Sequence, residues 1–260
     1  MRERLTSTNQ SIEKALNLIE ILAQQKGFMR LQDISIAAEI PASTALRLLN
    51  TLIKYNYVYQ DPDSLKYTLT LKFAQIGSLV RSQFSISEIA RPYLQALAVH
   101  CGEAVCLAIE QDMEVVYIDV VDGPDSMLKT LQRIGKRAPM HSTGVGKLMM
   151  TNYDQEKLEL YIDRTHLAPL TQNTITTRDL LLEELSRIDQ QNYSLDNEEC
   201  EIGARCIASP VRDYSGRVIA SISVSGPSIR MTMEKIDKIK AEVIATAFKI
   251  SHLYGYNDPS

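Results

Sequence analysis

The chain has 260 residues, of which 45% are apolar and 23% charged, and its formal net charge is −4. That length predicts two domains with a core in each, and the composition is ordinary globular usage rather than that of a disordered chain. No apolar run approaches the roughly 18 residues that a membrane crossing takes, and the amino-terminal MRERLTSTNQSIEK has no apolar stretch of a secretory signal, so a cytoplasmic protein is expected. The four cysteines, Cys101, Cys106, Cys200 and Cys206, lack the CxxC pairs of a zinc ribbon and read as thiols in a reducing compartment. Charge is uneven along the chain: residues 1–75 hold nine Lys and Arg against seven Asp and Glu, and the remainder holds 19 against 25. Any surface that meets phosphate is therefore expected near the amino terminus.

SIEKALNLIEILAQQ, Ser11 to Gln25, sets Ile12, Ala15, Leu16, Ile19, Leu22 and Ala23 at helical spacing, with Ser11 or Asn9 as cap. After Gly27, LQDISIAAEI predicts a short second helix with Leu31, Ile34 and Ala37 or Ala38 inward. PASTALRLLNTLIKYN predicts a third, with Pro41 in its first turn. Ala42, Ala45, Leu46, Leu49 and Ile53 form its apolar stripe, and Ser43, Arg47, Asn50 and Lys54 the opposite one. That outer face holds donors and no carboxylate, and Arg suits guanine, Asn adenine, and Ser or Thr (Ser43, Thr44) phosphate or base edges in a DNA major groove. Next, YVYQDPDSLKYTLT predicts a hairpin about Asp61-Pro62-Asp63-Ser64, a wing on which Lys66 or Tyr67 could touch phosphate. Three helices followed at once by a hairpin make a winged helix-turn-helix over residues 1–75. Glu39 stands where many such turns place glycine, at a cost on the order of 1 kcal/mol.

A linker helix is expected over residues 76–88, and a second domain over 89–260 that alternates strands and helices. AVCLAIEQ, EVVYIDVV, MLKTLQRI, YSLDNEE, RCIASPVRD and RVIASISVSGP read as strands, DQEKLELYI and RDLLLEELSRIDQQ as helices, and Met233 to about Tyr254 as one long amphipathic helix. HSTGVGK, His141 to Lys147, leads through a glycine-bearing turn into a short helix. The fold class expected is α+β, a winged helix-turn-helix joined to an α/β sensor-type domain.

LDNEECEIGARCIASPV, Leu195 to Val211, gathers acids, two cysteines and a glycine ahead of an apolar run. It admits three readings. Asp196, Glu199, Cys200 and Cys206, with His141, have atom types that suit zinc but no compact ligand spacing. Cys206 with His141 as base would make a thiol nucleophile, hence a thiol-dependent enzyme with an accessory DNA-binding module. The favoured reading is a pocket: backbone N–H groups of Gly144 and its neighbours Thr143 and Val145 favour an anionic group, Asp196 accepts from a hydroxyl, and Cys206 is a small polarizable wall. Each residue also has a plain structural role open to it: Thr143 as a helix cap, Cys206 as a small buried hydrophobe, Asp196 and Glu199 as acceptors for loop N–H groups.

In this order of parts the chain resembles the IclR family of bacterial transcriptional regulators over essentially its whole length. PASTALRLLNTL is similar to the family's recognition-helix segment and HSTGVGK to its first effector-loop motif. Asp196, Glu199, Cys206, Ile207-Ala208 and Val211 resemble its signature, with Asn192 in place of the usual glycine and Arg212 in place of a common aromatic. The resemblance implies a GAF/profilin-like effector-binding domain that takes a small organic acid, with Ser223 and Ser225 facing the same cavity. It also implies a homodimer or dimer of dimers on double-stranded operator DNA, and no catalytic residue, metal or cofactor. A ligand-responsive regulator, a repressor of a catabolic operon, is the function expected.

Overall fold

The computed structural model describes residues 9–25, 27–83, 85–123 and 133–257. The chain divides into two compact units, residues 1–84 and 85–260.

In the first unit α1 (Gln10–Gln24) starts at Asn9, whose Oδ1 accepts from the N–H of Ser11 at 3.0 Å and of Ile12 at 3.4 Å, so Asn9 and not Ser11 is the cap. Its buried side is Leu18 and Leu22, packed with Ile34, Leu49, Val58 and Tyr67. The apolar stripe expected from spacing is thus split: Ile12, Leu16 and Ala23 lie on an adjoining face that the single chain leaves exposed. α2 (Leu31–Ala37) buries Ile34, and Ala38 rather than Ala37 turns inward behind it. Glu39 adopts φ 52°, the left-handed conformation that glycine would take without strain, and the turn is closed by Ser35 Oγ donating to the Ile40 carbonyl at 2.6 Å. α3 (Ala42–Lys54) follows, with Pro41 as its N-cap, one position earlier than expected, and Ala45, Leu49 and Leu52 inward. β1 (Val58–Gln60) and β2 (Tyr67–Leu69) pair antiparallel from Val58↔Leu69 to Gln60↔Tyr67. At their tip Asp61 accepts from the Ser64 N–H and hydroxyl, and α4 (Lys72–Gln83) comes after the wing.

The second unit opens with α5 (Ile86–Cys101), which carries a reciprocal Ser85/Glu88 cap and ends at Gly102, φ 68°. Among the described residues one sheet of six antiparallel strands runs in the order β5-β4-β3-β8-β7-β6. The strands are β3 (Ala104–Gln111), β4 (Glu114–Val121), β5 (Arg137–Pro139), β6 (Ser194–Asn197), β7 (Ala204–Arg212) and β8 (Val218–Pro227). One face is covered by α5 and α9 (Met233–Leu253), over Leu107, Ile207, Val211, Ile222 and Val224. The other carries α6 (Gly144–Met150), α7 (Gln155–Thr165) and α8 (Arg178–Gln191), over Cys106, Ala108 and Ala208. Alternation along each strand sends odd and even residues to different helical layers, which is why β7 and β8 read as almost unbroken apolar and small-residue runs. The strand expected at Met127–Ile134 lies outside the described residues except for Arg133 and Ile134, which belong to a turn; the strand that pairs with β4 is Arg137–Pro139, too short for a periodic pattern. Asn192 ends α8 at φ 57° and does there what glycine would do.

Candidate functional site

On the first unit the outer face of α3 forms a groove of about 430 Å³ lined by Ser43, Leu46, Arg47, Asn50, Thr51 and Lys54. Four of the residues that sequence reasoning assigned to DNA, Ser43, Arg47, Asn50 and Lys54, stand on it; Thr44 is half-buried on the flank and Lys66 half-buried on the wing. Among the described residues the side chains of Arg47 and Asn50 make no hydrogen bond or ion pair, so their donors are available to a partner. Lys54 sits in the last turn, where a cation is favoured by the helix dipole.

On the second unit a cavity of about 130 Å³ opens where β5, the turn before α6 and the segment between β6 and β7 converge. Thr143, Asp196, Cys206 and Ser225 are on its wall with Cys200, which sequence reasoning considers only as a metal ligand, and with Tyr117, Lys136, Arg137, Glu201 and Arg205, which no sequence pattern selects. Gly144, Val145 and Ser223 stand behind the wall instead, all buried. A Cβ at Gly144 would lie 3.2 Å from the Cys206 sulfur, and one at Gly146 would lie 2.3 Å from the Met140 carbonyl oxygen, so HSTGVGK is glycine-bearing because α6 is pressed between its own entry turn and the sheet. Ser221, Ser223 and Ser225 give the short side chains on β8 that let α6 come so close.

Around the cavity the polar groups are fixed in a definite order. Asp196 Oδ1 accepts from the N–H of Glu199 at 2.8 Å and of Cys200 at 3.2 Å, which holds the loop. Burial pushes its carboxyl up to about 7, helped by the charge of Glu199 and opposed by those two N–H donors and by Lys147. Lys147, fully buried on α6, places its Nζ 2.7 Å from both oxygens of Glu199 and 3.3 Å from Glu184. Thr174 donates to the Glu199 carbonyl and Thr171 to that of Glu198, each at 2.7 Å. Arg205 is held by Asn197 Oδ1 and the Met231 carbonyl, each at 2.7 Å, and Arg137 by Glu114 at 2.6 Å.

This order bears on the two other readings of the signature stretch. Burial raises the Cys206 and Cys200 thiols, and the Gly144 and Asp196 N–H groups point at the Cys206 sulfur without reversing that. His141 is committed elsewhere. The Tyr161 hydroxyl accepts from the Met140 and His141 N–H groups, each at 3.1 Å, so its own proton goes to Nδ1 of His141 at 2.7 Å, leaving Nε2 to donate to the Ala168 carbonyl at 3.2 Å. With its thiol raised by burial and by the neighbouring Asp196 charge, and with His141 turned away to Tyr161 and Ala168, Cys206 lacks the activation a thiol nucleophile requires. Glu199, a proposed zinc ligand, is instead the partner of Lys147, and among the described residues no three His, Cys, Asp or Glu side chains gather as a metal would require.

Residues 79–252 match the family described as bacterial transcriptional regulator IclR, C-terminal, and residues 11–62 match the IclR helix-turn-helix domain. The chain belongs to the IclR family. It is 30% identical over 95% of its length to the HTH-type transcriptional regulator XynR of Escherichia coli, covering 98% of that protein. It is 32% identical over 96% of its length to the HTH-type transcriptional repressor AllR of Salmonella typhi, covering 92% of it. The crystal structure of the Thermotoga maritima IclR is similar at 30% identity with a TM-score of 0.63, over 95% of this chain and 99% of that one. As an IclR-family protein the chain is a DNA-binding transcriptional regulator and not an enzyme, and no described helix is long and apolar enough to cross a membrane.

Proposed function

We propose that this regulator represses a catabolic operon in the cytoplasm by binding a palindromic operator as a homodimer or a dimer of dimers, and that a small organic acid in the cavity of the second unit releases or remodels the complex. The observation that carries the reading is the row of uncommitted donors on α3, Ser43, Arg47 and Asn50 along one groove with Lys54 at its end. A helix with that face fits a major groove, Lys66 and Thr44 serving the backbone beside it. Oligomerisation is supported by the exposed apolar face of α1, where Ile12 is 58% and Leu16 54% exposed, a surface that a second copy would cover. Repression is supported by the likeness to AllR, which is named a repressor. The cavity supports a small ligand, since about 130 Å³ leaves room for a few heavy atoms. In this reading Thr143, Asp196, Cys206 and Ser225 meet the ligand, with Gly144, Val145 and Ser223 shaping the wall from behind.

Footprinting of the full chain on the DNA upstream of its own gene, with and without a panel of short organic acids and at two salt concentrations, tests both halves. A protected palindrome that one acid abolishes or extends is the expected result, and protection that no acid alters would remove the effector half. Arg47→Ala is expected to weaken operator binding by about 1–3 kcal/mol and to relax base preference at one position of each half-site. A uniform loss on all sequences, seen by titrating operator variants, would make Arg47 a phosphate contact instead.

A further inference from the structure

The assignment of the cavity to a small organic acid leaves a charge problem that the wall itself poses. Asp196 is 7% exposed and makes no ion pair among the described residues. Its Oδ1 is occupied by the Glu199 and Cys200 N–H groups, while Oδ2 has no hydrogen-bond partner there and belongs to a cavity wall. The cations nearby are engaged. Lys147 of α6 lies between Glu199 and Glu184, Arg137 of β5 is on Glu114, and Arg205 of β7 pairs with Glu198 at 3.3 Å and is held by Asn197 and the Met231 carbonyl. Lys136 and Glu201 are exposed at the rim, where solvent screens them. The remaining titratable neighbours, Tyr117 of β4 and the thiols of Cys200 and Cys206, are held protonated by burial and bring no charge. Among the described residues, a ligand carboxylate in this cavity therefore meets a second carboxylate with no uncommitted cation between them. Two such groups in contact cannot both stay ionised in a desolvated site.

We propose that a carboxylate ligand enters this cavity together with one proton, which is taken from solvent onto Oδ2 of Asp196 and donated from there in a hydrogen bond to the ligand. No bond other than that O–H forms, and the ligand stays an anion. The inference rests on the cavity being the effector site, and it deepens that reading: the ligand class is a monocarboxylate, and its capture is coupled to pH. The burial that lifts Asp196 toward neutrality keeps the proton within reach at ordinary pH.

Calorimetric titration of the full chain with L-lactate and acetate, and with lactamide and acetamide as neutral counterparts, from pH 6 to 8.5, separates the outcomes. The expected result is carboxylate binding that weakens about tenfold per pH unit above the Asp196 pKa, with uptake approaching one proton per site at pH 8, read from the difference between two buffers of unlike ionisation heat. Asp196→Asn keeps an acceptor for the loop N–H groups and gives the ligand a permanent donor. It is expected to bind lactate with an affinity independent of pH and within a fewfold of wild type at pH 6. Carboxylate binding with no pH dependence, or the same dependence in the Asn variant, overturns the inference and leaves the cavity as the effector site. Binding of the amides alone overturns it too, because the ligand is then neutral. If no probe binds either protein at any pH, the cavity is not an organic-acid site and both readings fall. The wild-type proton count needs no variant, so a folding defect in Asp196→Asn does not shelter the proposal.

Discussion

Asp196 and Tyr161 show how one buried polar atom sets the conduct of a whole loop. With a folded-state value near 7, Asp196 holds a proton that the unfolded chain releases at ordinary carboxylate pH. Its contribution to stability is thus fully present below about pH 4 and is lost as pH rises toward 7, by at most about 1.4 kcal/mol per unit. His141 has the opposite sense: burial lowers it, so its contribution is lost as pH falls below its ordinary value. Comparing wild type with Asp196→Asn cancels the histidine. The Tm advantage of the Asn variant is expected to grow between pH 4.5 and 7 and then level off, and a constant difference in calorimetric melts would mean Asp196 is ionised throughout. Tyr161→Phe removes the oxygen that accepts two buried N–H groups and the proton that Nδ1 of His141 accepts. It is expected to cost about 2–5 kcal/mol in urea unfolding with an unchanged m value. Asp196 and Cys206 could be picked from the sequence because the cysteines are few and both residues stood in one signature. Tyr161 and Tyr117 could not, since an aromatic on a helix or strand reads as core until the fold shows what its hydroxyl touches.

At the scale of elements, α6 and the segment between β6 and β7 act as a single piece because Lys147 joins them. A fully buried lysine between two carboxylates is costly to desolvate, and removing one partner costs more than the pair contributes. Lys147→Met is expected to destabilise by about 3–5 kcal/mol by stranding Glu199, and Lys147→Met with Glu199→Gln by clearly less than the sum of the two single changes, measured as a double-mutant cycle by denaturant unfolding. Additive losses would mean that the pairing does not hold the loop. The helices of both units were legible because their periodicity, caps and Pro41 or Asn192 at the ends agree with one another. The apolar stripe of α1 was less so: spacing alone does not tell a face that meets its own core from one that the chain leaves exposed, and Ile12 and Leu16 are of the second kind. The short strand Arg137–Pro139 had too few residues to alternate, although it brings Lys136 and Arg137 to the cavity.

For the whole molecule, the order of parts carried more information than any single motif. A polar helix face is common, and so is a cysteine at the start of a strand, yet a three-helix unit with a wing, a helix after it and a sheet layered between α5/α9 and α6/α7/α8 is a specific combination. The operator sequence and the ligand escape such reading because they depend on the few side chains that line α3 and the cavity, whose hydrogen-bonding groups do not name one partner. What the proposed coupling does fix is its symmetry. If the ligand lowers operator affinity by some factor, saturating operator must lower ligand affinity by the same factor, because both act on one equilibrium. Lactate affinity measured with and without excess operator duplex, set beside operator affinity with and without lactate, is expected to give equal ratios. Proton uptake extends the cycle. Since the ligand arrives with a proton, a fixed lactate concentration becomes a weaker effector as pH rises above 7, so operator affinity in its presence should climb with pH toward the ligand-free value. Without lactate the operator affinity should lack that rise, and Asp196→Asn should abolish it with lactate present. A rise of equal size in all three conditions, followed by fluorescence anisotropy of labelled operator, would place the titrating group on the DNA-binding face and not in the cavity.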